Sequence, residues 1–304
     1  MSTLKRFPFI FLFLLLAACS ASPIDSSATP GLPAINGTLP VAETGVPALP
    51  TATSVPMAFT VNGEGLPLEE FNAELERYRQ AMTALGREVG EDQARQAVLD
   101  DLIDQVLLAQ SARESGFSLD ESALQERIDT LTAQLGGADA LSAWQSAHGY
   151  DEAGLRVALK RSVESAHMRD QILSGVPGTM EQVHVRQILT YNDGDAARAK
   201  ARLDAGETFE TVAAAYDPAT RGDIGWFPRG YLDLQVIEEA AFALDVNAVS
   251  EIIPSEIGFH IIQVIERDPA RPLAFDALLA LQADALSDWL ADRRAASEII
   301  VLVQ

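Results

Sequence analysis

From Phe59 onward, apolar residues recur every three or four positions, which is the spacing of an amphipathic helix. The clearest stripe consists of Leu68, Phe71, Leu75, Tyr78, Met82 and Leu85. Similar stripes predict a second helix over about 93–114 and a third from about residue 120, closed by a pair of glycines at 136–137. Two further helical segments fill 138–173. We therefore expect residues 58–175 to form a helical domain.

After 175-GVPG-178, a predicted linker, the periodicity changes to that of alternating strands and helices. The segment 183–190 has the period of two that is typical of a strand, which places Gln187 on an otherwise apolar face. His184 falls on the opposite face. Over 181–268 the predicted order is strand, helix, helix, strand, helix, strand, strand, which indicates a small α/β or α+β domain.

The last part of the chain, 274–304, is predicted to be helical again. Its apolar stripe consists of Leu278, Leu281, Ala285 and Trp289. A single terminal helix cannot bury such a stripe by itself, so we expect it to pack on the helices of 58–175. The predicted fold class is therefore α+β, a helical domain made from both ends of the chain with an α/β domain inserted into it.

The first residues have the pattern of a signal peptide over 1–18. Two basic residues, Lys5 and Arg6, precede an apolar run that is too short to span a membrane as a helix. The run ends in 16-LAAC-19, which resembles the lipobox of bacterial lipoproteins and implies that Cys19 is lipidated. The alternative is an ordinary secretory signal with an incidental cysteine.

Residues 19–57 are rich in Pro, Ser, Thr, Ala and Gly, a composition that is typical of a flexible tether. Together with the lipobox, the tether predicts an extracytoplasmic protein whose folded part is held away from a bacterial membrane. The formal charge of −22 argues against nucleic acid as a partner, because phosphates would repel such a surface. Cys19 is the single cysteine, which excludes an intramolecular disulfide.

Three segments of the predicted α/β domain carry a family resemblance: 222-GDIGWF-227, 238-EEAAF-242 and 258-GFHII-262. In this order and spacing, 181–268 resembles the parvulin (PpiC-type) peptidylprolyl cis/trans isomerases. The lipobox, the tether and the surrounding helices, which open with 61-VNGEGLPLEEF-71, resemble the extracytoplasmic foldases of the PrsA and SurA kind. In such proteins the helical part holds unfolded chains, so the resemblance implies a chaperone-like role for 58–175.

The resemblance also implies a site. Ile224, Leu232 and Ile237 match the apolar residues that line the proline pocket in the family, although all three also fit a plain hydrophobic core. Ser255 is expected to help bind substrate. His260 matches the second of two family histidines, and Asp217 is the candidate for a nearby acidic position.

Gln187 stands where the family has its first histidine. An amide donates and accepts hydrogen bonds but does not titrate, so we expect isomerase activity that is weak. The alternative is a holdase whose parvulin domain is inactive. His184 cannot replace the missing histidine, because it points away from the Gln187 face.

The expected substrates are unfolded or newly secreted polypeptides with X-Pro bonds. Parvulins that prefer phosphorylated residues carry basic residues after the first strand, whereas this chain has 191-YNDGD-195 there. We therefore expect an activity that does not require phosphate. Metal-ligand spacings such as HExxH, calcium loops and nucleotide-binding glycine motifs are missing from the sequence, so neither a metal nor another cofactor is expected.

Overall fold

The computed structural model describes residues 55–303. The signal peptide predicted over 1–18, Cys19 and the tether up to residue 54 lie outside the described residues. The described part of the chain forms one compact unit. Within it, no helix is long and apolar enough to cross a membrane.

Five helices build the first part of this unit: α1 (Leu68–Ala84), α2 (Glu91–Glu114), α3 (Glu121–Leu135), α4 (Ala138–Ala147) and α5 (Glu152–Ser174). Their ends follow the sequence closely. The Asp120 side chain accepts a hydrogen bond from the Ala123 amide at the start of α3. Gly136 ends that helix in the left-handed conformation, at φ 101°. α2 is the central element, because twelve of its residues are buried.

A three-stranded antiparallel sheet lies beside these helices. It consists of β1 (Met57–Val61), β2 (Glu64–Pro67) and β7 (Ile299–Val301), with β1 in the middle. The expectation of helix from Phe59 is therefore wrong before Leu68. Asn62 and Gly63 both have positive φ and close a tight hairpin turn, which is a preference of Asn-Gly pairs that the helical periodicity obscured.

The inserted domain has the predicted order of elements: β3 (Thr179–Thr190), α6 (Asp193–Asp204), α7 (Phe209–Ala213), β4 (Asp223–Pro228), α8 (Gln235–Ala243), β5 (Ile253–Ser255) and β6 (Gly258–Pro272). Its antiparallel sheet has the order β4-β3-β6-β5. Val185 and Ile262 belong to an apolar cluster with α8, whereas Ile188 and Ile261 pack with α6 and α7. The two faces of β3 therefore bury different cores.

The C-terminal helix, α9 (Phe275–Ala295), packs on α5 and α2. The Gln282 side chain donates to the Leu173 carbonyl at 3.1 Å, and the Arg294 guanidinium donates to the Asp104 carboxylate at 2.6 Å. β7 then pairs with β1. This confirms the predicted α+β class, in which both ends of the described chain build the helical domain and the smaller domain is inserted between α5 and α9.

The two connections between the domains run side by side. At the start of β3 and the end of β6, Thr179 pairs with Pro272 and Met180 pairs with Arg271. The Gln182 side chain donates to the carbonyls of Arg271 and Pro272, at 2.9 and 3.1 Å. The inserted domain is therefore carried on a two-stranded ribbon and not on two separate linkers.

Candidate functional site

The pairing of β3 with β6 brings Gln187 and His260 together on the sheet face that carries α8. His260 lies opposite Leu189, and Gln187 opposite Ile262, so both side chains leave the same face two residues apart in register. The distance between His260 Nδ1 and Gln187 Oε1 is 3.2 Å. On the other side, His260 Nε2 lies 2.7 Å from the Ser255 hydroxyl, which β5 positions.

Burial makes this a neutral hydrogen-bonded chain. The His260 side chain is completely buried, and desolvation lowers the pKa of the imidazole below its usual value. With Gln187 Oε1 as acceptor, Nδ1 carries the proton, and Nε2 accepts a hydrogen bond from the Ser255 hydroxyl. Ser255, which was expected to help bind substrate, thus forms a hydrogen bond with His260.

Two glycines explain why the motifs GDIGWF and GFHII begin as they do. The Gly222 carbonyl accepts a hydrogen bond from the Gln187 amide at 2.7 Å. At Gly222, with φ +78°, a Cβ atom would lie 2.1 Å from the Gln187 carbonyl oxygen. At Gly258, a Cβ would lie 2.3 Å from the Thr190 carbonyl oxygen. Both positions require glycine, because the backbone segments that contain them pass very close to β3.

The three apolar residues predicted for the pocket lie in one cluster with Val185 and Ile262. Ile224 and Leu232 are half-buried and form its outer part. Ile237, on α8, is only 2% exposed and lies beneath them. Ile224 and Leu232 therefore keep part of their side chains accessible to solvent, whereas Ile237 is enclosed.

The loop that carries Leu232 is held by one carboxylate, which the sequence reasoning did not single out. Glu238 accepts hydrogen bonds from the backbone amides of Gly230, Tyr231 and Leu232, at 2.8, 3.1 and 3.2 Å. Its position in the motif EEAAF was the available signal. The carboxylate thus supplies acceptors for three backbone amides that have no partner within a helix or strand.

The structure does not bring Asp217 to His260. Its carboxylate accepts hydrogen bonds from the amides of Ala219 and Thr220, at 3.1 and 3.2 Å, and from the Thr220 hydroxyl. These bonds hold the pKa of the Asp217 carboxyl below its usual value, and the bond from the Thr220 hydroxyl has the largest effect. Asp217 closes the turn after α7, in the short connection that leads to Gly222.

His184 has a partner that the sequence did not reveal. It lies on the opposite face of β3, as predicted, and its Nε2 is 2.8 Å from a carboxylate oxygen of Asp223. The same carboxylate accepts a hydrogen bond from the Gly225 amide at 2.8 Å. Asp223 directly precedes Ile224 in β4. The contact therefore stabilises this strand from the face of β3 opposite Gln187.

The site combines the partly exposed apolar residues Ile224 and Leu232 with the hydrogen-bonded series Gln187–His260–Ser255. Rotation about an X–Pro bond must overcome a barrier of ~18–20 kcal/mol, and the reaction requires no covalent bond to the protein. An apolar contact for the proline ring and a partial exclusion of water favour the twisted amide. In residues 55–303, no group of His, Cys, Asp or Glu side chains could hold a metal ion.

Comparison with family models finds two matches, which leave most of α5 uncovered between them. Residues 39–152 match the model of the SurA-like N-terminal domain. Residues 178–278 match the model of the PPIC-type peptidylprolyl isomerase domain. The second match begins just before β3 and ends within α9, and it contains every candidate residue of the site.

The chain is also similar to curated foldases and chaperones. It is 27% identical over 181 residues to the foldase protein PrsA of Geobacillus kaustophilus, a match that covers 57% of this chain and 62% of that protein. It is 34% identical over 139 residues to the chaperone SurA of Methylobacillus flagellatus, covering 39% of this chain and 32% of that protein. The matched region thus spans about three fifths of the first relative and a third of the second.

Among solved structures, the crystal structure of the peptidylprolyl isomerase PrsA from Bacillus cereus is 17% identical with a TM-score of 0.41. The match covers 77% of this chain and 83% of that chain. The PrsA structure from Bacillus anthracis is 21% identical with a TM-score of 0.37, covering 64% and 89% of the two chains.

Proposed function

The chain is PrsA/SurA-like, with a SurA-like N-terminal domain and a PPIC-type parvulin domain, and we propose that it is a peptidylprolyl cis/trans isomerase that assists the folding of secreted proteins. Its substrates are unfolded polypeptides with X-Pro bonds. The single observation that carries the proposal is the neutral chain Gln187–His260–Ser255 beside the half-buried residues Ile224 and Leu232.

The proposed location is outside the cytoplasm, on a bacterial membrane, through lipidation of Cys19. The support is the sequence 16-LAAC-19 followed by a Pro-, Ser- and Thr-rich tether. Within this proposal, the functional regions are a signal peptide at 1–18, a lipidated tether at 19–57, a chaperone-like domain at 58–175, an isomerase domain at 181–268 and a closing segment at 274–304.

The proposed activity is weak and independent of phosphate. His260 has an uncharged amide as its neighbour, so the pair Gln187–His260 cannot change its charge as a pair of histidines can. The segment 191–195 after β3 carries the acidic residues Asp193 and Asp195 and no basic residue that would bind a phosphate group. The Asp217 carboxylate closes a turn and plays no part in the proposed hydrogen-bonded series around His260.

A holdase with an inactive parvulin domain is the second candidate. The observations that favour it are Gln187 in place of a histidine and the complete burial of His260. In that case the helical domain would bind unfolded chains, and the inserted domain would add apolar surface through Ile224 and Leu232.

An exchange NMR experiment on an Ala-Pro peptide tests the proposal. Wild-type protein is expected to accelerate cis/trans exchange over buffer. Ile224→Ala is expected to lower kcat/KM by about tenfold because it removes part of the apolar surface. Gln187→His is expected to raise kcat/KM by about three- to tenfold because it restores a second titrating group.

The matched control is Val246→Ala, an apolar truncation at an exposed position of the same domain, 44% accessible to solvent. It should leave kcat/KM unchanged. The isomerase proposal fails if wild-type protein gives no acceleration while it still suppresses the aggregation of an unfolded client protein, and the holdase then stands.

A further inference from the structure

The inserted domain contacts the helical domain at a second place, beyond the two-stranded ribbon. The Tyr231 hydroxyl donates a hydrogen bond to a carboxylate oxygen of Asp276 at 3.0 Å. Tyr231 lies in the loop between β4 and α8, whereas Asp276 lies in the first turn of α9. The two residues are 45 positions apart in the sequence.

A close backbone approach accompanies this bond. Gly230 has φ +80°, and a Cβ atom there would lie 3.2 Å from the Cδ2 methyl group of Leu281 on α9. Leu281 therefore touches the loop at a position where only glycine is unstrained. The Glu238 carboxylate fixes the loop on its other side. It accepts hydrogen bonds from the backbone amides of Gly230, Tyr231 and Leu232.

α9 is itself firmly attached to the helical domain. Gln282 donates to the Leu173 carbonyl on α5, at 3.1 Å. Arg294 donates to the carboxylates of Asp104 and Asp100 on α2, at 2.6 and 3.2 Å. A continuous series of contacts thus leads from α2 and α5, through α9, to the loop that carries Leu232.

We propose that Tyr231 is a positioning residue that couples the proline-binding surface to the helical domain. Its bond to Asp276 holds the loop 229–234 between α9 and α8 and so sets the position of Leu232. This inference rests on the proposed function, since it concerns the same apolar surface. It follows that a displacement of α9, such as one caused by a polypeptide bound to the helical domain, changes the affinity of that surface for proline.

The charge state of the pair favours a lasting bond. The hydrogen bond to Asp276, followed by partial burial, raises the pKa of the Tyr231 phenol above its usual value. The phenol therefore stays protonated and remains the donor throughout the physiological pH range. A charged acceptor also makes the bond stronger than one between two neutral groups.

The test uses the full chain with Tyr231→Phe, Asp276→Ala, their combination, and Asp276→Asn, which keeps a carbonyl acceptor. Tyr191→Phe is the matched control, because Tyr191 is 83% exposed in the same domain. Three measurements are made: exchange NMR gives KM and kcat for an Ala-Pro peptide, titration gives the Kd of the same peptide, and hydrogen exchange follows the Tyr231 and Leu232 amides.

Tyr231→Phe and Asp276→Ala are expected to raise KM and Kd by about three- to tenfold, because each removes the hydrogen bond between Tyr231 and Asp276. They should leave kcat within about twofold because Gln187 and His260 are untouched. Amide exchange in the loop should become faster. Asp276→Asn should restore most of the affinity, the combined variant should be no worse than either single one, and Tyr191→Phe should match wild type.

Unchanged Kd and unchanged loop exchange in Tyr231→Phe would overturn the inference, as would a fall in kcat with Kd unaffected. An equal loss in Tyr191→Phe would also contradict it. If the wild-type protein proves to have no isomerase activity, the proposed function fails, but peptide Kd and amide exchange still decide whether Tyr231 positions the surface.

Discussion

His260 is a polar side chain placed completely inside an apolar part of the inserted domain. A buried imidazole is tolerated only when both ring nitrogens have partners, and Gln187 and Ser255 supply them. Burial lowers the pKa of the imidazole below its usual value, which favours the neutral ring. For the proposed activity we therefore expect hydrogen bonding and apolar contact to act, without a charge on His260.

Ser255→Ala is the variant that tests this arrangement. It leaves His260 Nε2 buried without a partner, which should destabilise the protein by roughly 1–3 kcal/mol and lower isomerase activity. Urea unfolding and peptide exchange NMR measure the two effects. Ser255→Thr, which keeps the hydroxyl, is the control and should stay close to wild type. Equal stability of the Ala and wild-type proteins would mean that the Ser255–His260 bond contributes nothing.

At the scale of elements, α2 combines a large buried face with acidic residues that are also withdrawn from water. Asp101 is the clearest case. Desolvation first, and then repulsion from Glu74 and Asp104, raises the pKa of its carboxyl from 3.8 to about 6, although a hydrogen bond from Gln105 opposes the shift. A raised pKa means that the folded state binds this proton more tightly than the unfolded state.

As the Asp101 carboxyl loses its proton, the free energy of unfolding should consequently fall between about pH 4 and about pH 6. The full loss of stability is present at pH 7. Asp101→Asn should stabilise the protein at pH 7 by roughly 1–3 kcal/mol, with no difference from wild type at pH 4. Thermal or urea unfolding at several pH values measures this.

Asp129→Asn is the matched control for Asp101→Asn. Asp129 also accepts a hydrogen bond from a glutamine four residues away, Gln125, but it lies on an exposed surface of α3. The Asp129→Asn variant should unfold at the same urea concentration as wild type at pH 7. A stabilisation by Asp101→Asn that is the same at pH 4 and pH 7 would refute the explanation by titration.

At the scale of the whole molecule, the inserted domain and the helical domain have separate cores. The main helical core consists of residues from β1, β2, α1 and α2, with Ile299 and Val303 packed against it. The inserted domain buries its own two clusters on either face of its sheet. Because Thr179 pairs with Pro272, removal of the insertion leaves two ends that are already adjacent.

Replacement of residues 180–271 by a two-glycine turn should therefore leave the helical domain folded. Circular dichroism is expected to retain a strong helical signal with a cooperative thermal transition, and suppression of client aggregation should persist while isomerase activity is lost. An aggregated or unfolded product would contradict the independence of the two cores. The full chain with Ile224→Ala is the control that lowers isomerase activity without removing the domain.

The sequence by itself determined the features that depend on local periodicity and on motifs. These are the helices of the first domain, the order of elements in the inserted domain, and the placement of Gln187 and His184 on opposite faces of β3. Side-chain direction in a strand or helix follows from spacing along the chain, so such features need no knowledge of distant residues.

Only the tertiary structure decided which distant segments meet. It paired β7 with β1, attached Ser255 to His260, kept Asp217 in its own turn, and joined Tyr231 to Asp276. The physical reason is that a side chain carries a set of donors and acceptors but no record of its partner. The partner is chosen by the packing of whole elements, which satisfies buried polar groups across the fold.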